Sequence, residues 1–156
     1  MFRFLKRKIR EIKSPVDGQV VALESVNDDV FSQKLVGDGV AIIPMSDIFT
    51  APIDGTITKI FSTNHAYSIK STKDLEVMVH IGLDTVALEG KGFERLAQEG
   101  DEVKAGDPVI RVDLGYLREH AKDIITPIII SEESDVKNIE KRLNIVKSQD
   151  MIMEVS

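Results

Sequence analysis

A short unit occurs twice in this chain, and it narrows the choice of folds more than anything else in the sequence. Ser14-Pro15-Val16-Asp17-Gly18-Gln19-Val20-Val21 and Ala51-Pro52-Ile53-Asp54-Gly55-Thr56-Ile57-Thr58 share the order small, Pro, aliphatic, Asp-Gly, polar, aliphatic. Proline fixes φ and removes a backbone donor, while Asp-Gly favours a tight turn with positive φ. Each copy therefore reads as a turn leading into a strand, and the pair implies a duplicated, pseudo-symmetric β structure. Short β-branched runs continue the rhythm at residues 19–23, 40–43, 56–61, 76–81, 108–112 and 126–130. Gly37-Asp38-Gly39, Gly100-Asp101 and Gly106-Asp107 punctuate them. This pattern predicts an all-β fold, an antiparallel sandwich or barrel with a few short helices. Helices are expected at residues 92–98, 114–122 and 135–143.

Composition removes several function classes. The 156 residues include no Cys, which excludes disulfides, thiolate metal sites and a catalytic thiol. No run approaches the ~18 apolar residues of a membrane span, and residues 1–13 lack the apolar core of a signal peptide. A cytoplasmic protein is expected. The net charge of −6 is unevenly spread: residues 1–13 carry six bases and one acid, and the remainder is acidic. An acidic body argues against nucleic acid and suits a basic protein partner. In residues 1–13, Phe2, Leu5, Ile9 and Ile12 fall at helical spacing among the bases. That segment reads as a basic amphipathic helix able to touch an anionic membrane surface, or as a solvated tail. Residues 14–156 read as a single domain.

Chemistry has few candidates. Strand-like runs flank the polar stretch 71–74, which reads as a four-residue hairpin loop. Centred between Thr72 and Lys73, this hairpin sets His65 opposite His80 and Tyr67 opposite Met78. Leu75, Val77, Val79 and Ile81 form an aliphatic stripe, so His80 faces the other way beside Met78 and Glu76. Opposed side chains have Cβ atoms about 4.5–5.5 Å apart, close enough for two imidazoles to converge on one group. Three readings stand at this point. One imidazole could accept a phosphoryl group while the other binds its oxygens. The pair could hold zinc with further ligands, for which Asp28 and Asp84 are candidates at no strong spacing. Or both could be structural. Gly82 lets backbone approach His80, and its carbonyl could fix the ring tautomer. Thr63, two residues before His65, is expected on the same strand face, within hydrogen-bond reach. His120, among Arg118, Glu119 and Lys122, reads as a surface residue.

The same residues carry a resemblance. Val30-Phe31-Ser32, Val36-Gly37-Asp38-Gly39-Val40-Ala41-Ile42, Ala51-Pro52-Ile53-Asp54-Gly55-Thr56, Thr63-Asn64-His65-Ala66, Val79-His80-Ile81-Gly82-Leu83-Asp84-Thr85-Val86 and Thr126-Pro127 resemble the glucose-type IIA family of the bacterial phosphoenolpyruvate-dependent sugar phosphotransferase system. The resemblance implies a β-sandwich with a shallow apolar depression around two histidines. It implies that His80 takes a phosphoryl group on Nε2 from the carrier protein HPr and passes it to a cysteine of the IIB domain of a glucose-type permease. His65 would hold the phosphoryl oxygens, and Thr63 and Gly82 would hydrogen-bond the pair. Val30, Phe31, Phe61, Tyr67 and Met78 would form an apolar docking rim, with Asp28 and Asp84 at its edge. Asp29 departs from the apolar residue usual in the family. No cofactor is expected, and a monomer suits such a transient shuttle.

Two other classes are weighed beside it. Residues 99–110 also resemble the turn of biotinyl and lipoyl carrier domains, but the tip residue Lys73 follows Thr72 and has no Met on either side, unlike a modified lysine. A regulatory binding module, whose targets depend on phosphorylation, is the second. Zinc shared by His65 and His80 with a partner carboxylate extends that idea.

Overall fold

In the computed structural model, which describes residues 9–72 and 74–156, the two proline units hydrogen-bond to each other reciprocally. Lys13 N donates to the Pro52 carbonyl and Thr50 N to the Pro15 carbonyl, each at 2.9 Å. The correspondence extends to two later segments. Asp17 accepts from Ser148 N at 2.7 Å and Asp54 from Ala105 N at 2.8 Å. Gln149 N donates to Ser14 and Gly106 N to Ala51, both through left-handed backbones. The duplicated architecture inferred from the sequence is thus real and includes 104–107 and 147–150. The glycines of the units act differently from expectation. Neither Gly18 nor Gly55 has positive φ. A Cβ there would stand 2.3 Å from the Ile43 or Lys70 carbonyl oxygen, so close backbone approach is what requires glycine.

The strands begin with β1 (Arg10–Lys13), β2 (Gly18–Ala22), β3 (Gly37–Pro44), β4 (Ile48–Thr50) and β5 (Gly55–Ile60). Next come β6 (Ala66–Lys70), β7 (Glu76–His80), β8 (Phe93–Arg95), β9 (Glu102–Val103) and β10 (Pro108–Val112). The last are β11 (Thr126–Ser131), β12 (Ile139–Lys141), β13 (Ile145–Val146) and β14 (Met151–Val155). Helices α1 (Asp29–Ser32) and α2 (Leu114–His120) are joined by 3-10 turns at Leu23–Ser25 and Thr85–Leu88. An eight-stranded antiparallel sheet runs in the order β13-β2-β3-β11-β7-β6-β5-β9, and two three-stranded sheets (β1-β14-β12 and β4-β10-β8) complete a β-sandwich. Among the described residues no helix is long and apolar enough to cross a membrane.

Alternation along the large sheet makes two cores. Val20, Val40, Ile42, Val77, Val79, Ile128 and Ile130 point to one side, where Phe49, Ile110 and Val112 of the small sheet meet them. The opposite face buries a smaller cluster of Leu23, Val26, Phe31, Ala41, Leu83, Ile125 and Ile129, with Val21 and Met78 packed on it. His80 lies on this second face.

Several expectations are corrected. Residues 92–98 contain β8, because pairing Val112 with Phe93 and Ile110 with Arg95 outweighs a weak local helical pattern. Residues 135–143 supply β12, paired with β14 through Ile139–Val155. Ile12 is fully buried in β1, so the helical spacing read over residues 1–13 does not hold at Arg10–Lys13. Ile9 is exposed just ahead of β1, and the rest of that reading, with its membrane contact, falls on residues 1–8, outside the described residues. α2 matches its prediction, and His120 is exposed, its ring stacked on Tyr116 with centroids 4.1 Å apart.

Candidate functional site

The β6–β7 hairpin carries one more loop residue than the sequence suggests. Lys70 pairs with Glu76, Ser71 N donates to the Leu75 carbonyl, and Asp74 takes a left-handed conformation at φ 56°. This slip of one residue leaves β7 as expected but changes the face that the β6 side chains occupy. Tyr67 pairs with Val79 instead of Met78, so its ring is fully buried and its hydroxyl donates to the Thr50 carbonyl at 2.6 Å. It belongs to the core and offers no docking surface. His65 now lies level with Ile81, whose N–H donates to the His65 carbonyl at 2.7 Å.

The histidines still converge. His65 precedes the first residue of β6 and follows Asn64, whose left-handed backbone (φ 60°) breaks the strand alternation. Its ring comes to 5.0 Å from that of His80, centroid to centroid, at an angle of 78°. Phe61 flanks His65 at 5.3 Å, and Phe31 covers His80 at 5.0 Å. Thr63 stands in the turn rather than on a strand, yet its hydroxyl is hydrogen-bonded to His65 Nδ1. Nδ1 of His80 donates to the Gly82 carbonyl at 2.8 Å. Because a carbonyl only accepts, that bond places the proton on Nδ1 and leaves a lone pair on Nε2. Gly82 has φ 76°, and a Cβ there would meet Thr85 Cγ2 at 2.6 Å and the Asp123 carbonyl at 2.9 Å.

Burial sets the charge of the pair. His65 is only 4% exposed, and burial, with His80 as a second cause, pushes its pKa down to about 4. Burial also lowers His80, opposed by the Gly82 hydrogen bond and by the carboxylates of Asp28 and Asp84. Both rings are therefore neutral near pH 7, the state in which imidazole is a nucleophile.

The surroundings are apolar with an acidic edge. Asp28 caps α1, accepting from Val30 N at 3.0 Å, and Asp29 is exposed in its first turn. Val30 is exposed, Phe61 and Met78 are half-buried, and Phe31 is buried against His80. Asp84 is exposed on a left-handed backbone at the start of a 3-10 turn. Sequence reasoning missed Leu35, an exposed apolar residue on the segment that follows α1, and did not single out Val36 and Val86, also exposed, within their motifs. Exposed aliphatic side chains have no periodic signal of their own in a sequence. Among the described residues no three His, Asp or Glu side chains are grouped to hold a metal ion.

Comparison with known proteins agrees with this geometry. Residues 10–136 match the family model for the phosphoenolpyruvate-dependent sugar phosphotransferase system, EIIA 1. The glucose-specific EIIA component of Haemophilus influenzae is 50% identical over 132 residues, covering 85% of this chain and 80% of that protein. The N-acetylglucosamine-specific EIICBA component of Escherichia coli is 46% identical over 149 residues, 94% of this chain but only 23% of that protein. The structure of glucose permease IIA from Mycoplasma capricolum superposes with a TM-score of 0.92, at 36% identity and 99% coverage of both chains. Sequence and fold together place the chain among the phosphoryl carriers of that system. The chain belongs to the EIIA 1 family of the phosphoenolpyruvate-dependent sugar phosphotransferase system.

Proposed function

We propose that His80 is the phosphoryl acceptor and that the group reaches it from the phosphohistidine of HPr. The Nε2 lone pair attacks phosphorus, the N–P bond to the donor breaks, and its electron pair returns to the donor imidazole. In the second step a cysteine thiolate of a IIB domain attacks the same phosphorus and the His80 N–P bond breaks. The observation that carries this reading is the Nδ1–H bond from His80 to the Gly82 carbonyl at 2.8 Å, which leaves Nε2 free in an apolar setting. His65, accepting the hydrogen bond of the Thr63 hydroxyl on Nδ1, presents Nε2–H as a donor to the phosphoryl oxygens. Little covalent chemistry is asked of the protein in such a transfer; positioning and charge stabilisation supply most of the rate. The apolar rim excludes water from the phosphohistidine and, with Asp28, Asp29 and Asp84, suits an apolar partner surface edged with bases. A IIB recipient is supported by relatives named as EIICBA components, in which the matching segment is part of a longer chain. The names of the relatives favour a glucose or N-acetylglucosamine permease, and a cytoplasmic, monomeric carrier fits such a relay.

Labelled phosphoenolpyruvate with Enzyme I and HPr tests this. Acid-labile label is expected on wild type and none on His80→Gln. His65→Gln is expected to take label and to hand it on poorly. Label persisting on His80→Gln would refute the assignment.

A further inference from the structure

Within the Thr63-Asn64-His65-Ala66 string, the relay gives the polar side chain of Asn64 no task. Asn64 sits with left-handed backbone in a turn closed by Asn64 N to the Phe61 carbonyl at 2.7 Å and Phe61 N to the Ala66 carbonyl at 2.9 Å. Its side-chain Oδ1 accepts from Nε of Arg95 at 2.9 Å, and a terminal nitrogen of the same guanidinium reaches the Phe61 carbonyl at 3.4 Å. Arg95 closes β8, where it pairs with Ile110 of the fully buried core of β10. A guanidinium is a planar fork with fixed donor directions. Both ends of the turn that carries Thr63 and leads into His65 are thereby tied to a strand of a different sheet.

We propose that Arg95 is a positioning residue for phosphoryl transfer. Through Asn64 and the Phe61 carbonyl it fixes the 61–64 turn, so that the Thr63 hydroxyl stays on His65 Nδ1 and the His65 ring stays beside that of His80. Arg95 does not touch the phosphoryl group; it acts through His65. Asn64 is suited to this turn twice over, because Asn tolerates the left-handed region and its carbonyl is the acceptor the fork needs. The inference rests on the relay proposed above.

Arg95→Met keeps much of the stem and removes the fork; Arg95→Lys keeps the charge but not the fork. Two-bond proton–nitrogen NMR spectra of the His65 ring are expected to show one Nε2–H tautomer in wild type and a mixture in both variants. Onward transfer to a IIB cysteine is expected to slow roughly ten- to hundredfold in Arg95→Met, while the final extent of labelling by phospho-HPr is kept. Because the effect runs through His65, Arg95→Met combined with His65→Gln is expected to be no slower than His65→Gln alone. An unchanged His65 ring spectrum, additive losses in the double variant, or full rescue by lysine would each overturn the proposal. If wild type took no label, the relay would fall, and the ring spectra would still decide whether Arg95 positions His65.

Discussion

The depressed pKa of His65 has a consequence for stability that can be measured without any partner. In the folded chain His65 titrates at about 4, because burial and the neighbouring His80 disfavour its charged form. Unfolded, it returns to about 6.5. Between these values the unfolded chain binds more protons than the native one, so stability rises with pH across that window. The contribution is complete above the unfolded pKa and is lost as pH falls through the folded one. Integrated from about pH 8 down to about pH 5, the His65 share comes to about 2 kcal/mol. The assay is urea unfolding of wild type and His65→Gln at both pH values. The carboxylates are common to both proteins, so the loss on acidification is expected to be about 2 kcal/mol smaller in the variant. His80, also lowered by burial, adds to the loss in the same direction and is present in both proteins. Equal pH dependence in the two proteins, or an NMR midpoint for His65 near its ordinary value, would refute the burial argument. Phosphorylation of His80 adds negative charge beside His65 and is expected to move that midpoint upward.

Other predictions concern single contacts. Tyr67→Phe leaves the buried Thr50 carbonyl short of a donor and is expected to cost about 1–2 kcal/mol in chemical denaturation, with phosphorylation unaffected. Gly18→Ala and Gly55→Ala drive a Cβ to 2.3 Å from a strand carbonyl at equivalent places in the two repeats. Each is expected to lower stability by roughly 1–3 kcal/mol, and a large difference between them would count against the structural equivalence of the units. Asp28→Asn retains the cap on α1 but removes the carboxylate that supports protonated His80, so an NMR titration is expected to show the His80 midpoint lower than in wild type. Gly82→Ala meets the Asp123 carbonyl at 2.9 Å and is expected to displace the carbonyl that orients His80, slowing phosphoryl uptake.

Much of the sandwich was legible from local signals. The β-branched runs at 108–112 and 126–130 fall on β10 and β11, and the proline units announced the duplication. A period of two and a proline–Asp-Gly turn are properties of neighbouring residues, so they survive in one dimension. The second half of each repeat went unread: Lys104-Ala105-Gly106-Asp107 and Lys147-Ser148-Gln149-Asp150 share only Lys, a small residue and Asp, and the left-handed backbone common to Gly106 and Gln149 is invisible in the letters. Strands β8 and β12 were likewise hidden, since their partners β10 and β14 lie far along the chain and the pairing, not the segment itself, makes them strands.

The site divides along the same line. The sequence by itself determined that two histidines near one hairpin were the chemical candidates, with Thr63 and Gly82 as their neighbours, because those residue types and their short separations are local facts. Tertiary structure decided the rest. One extra loop residue at the hairpin tip sent Tyr67 into the core, and a left-handed Asn64, held by Arg95 from another sheet, turned His65 back toward His80. Burial, which no stretch of letters carries, then left both imidazoles neutral, and the Gly82 carbonyl, holding the proton on Nδ1 of His80, left its Nε2 open.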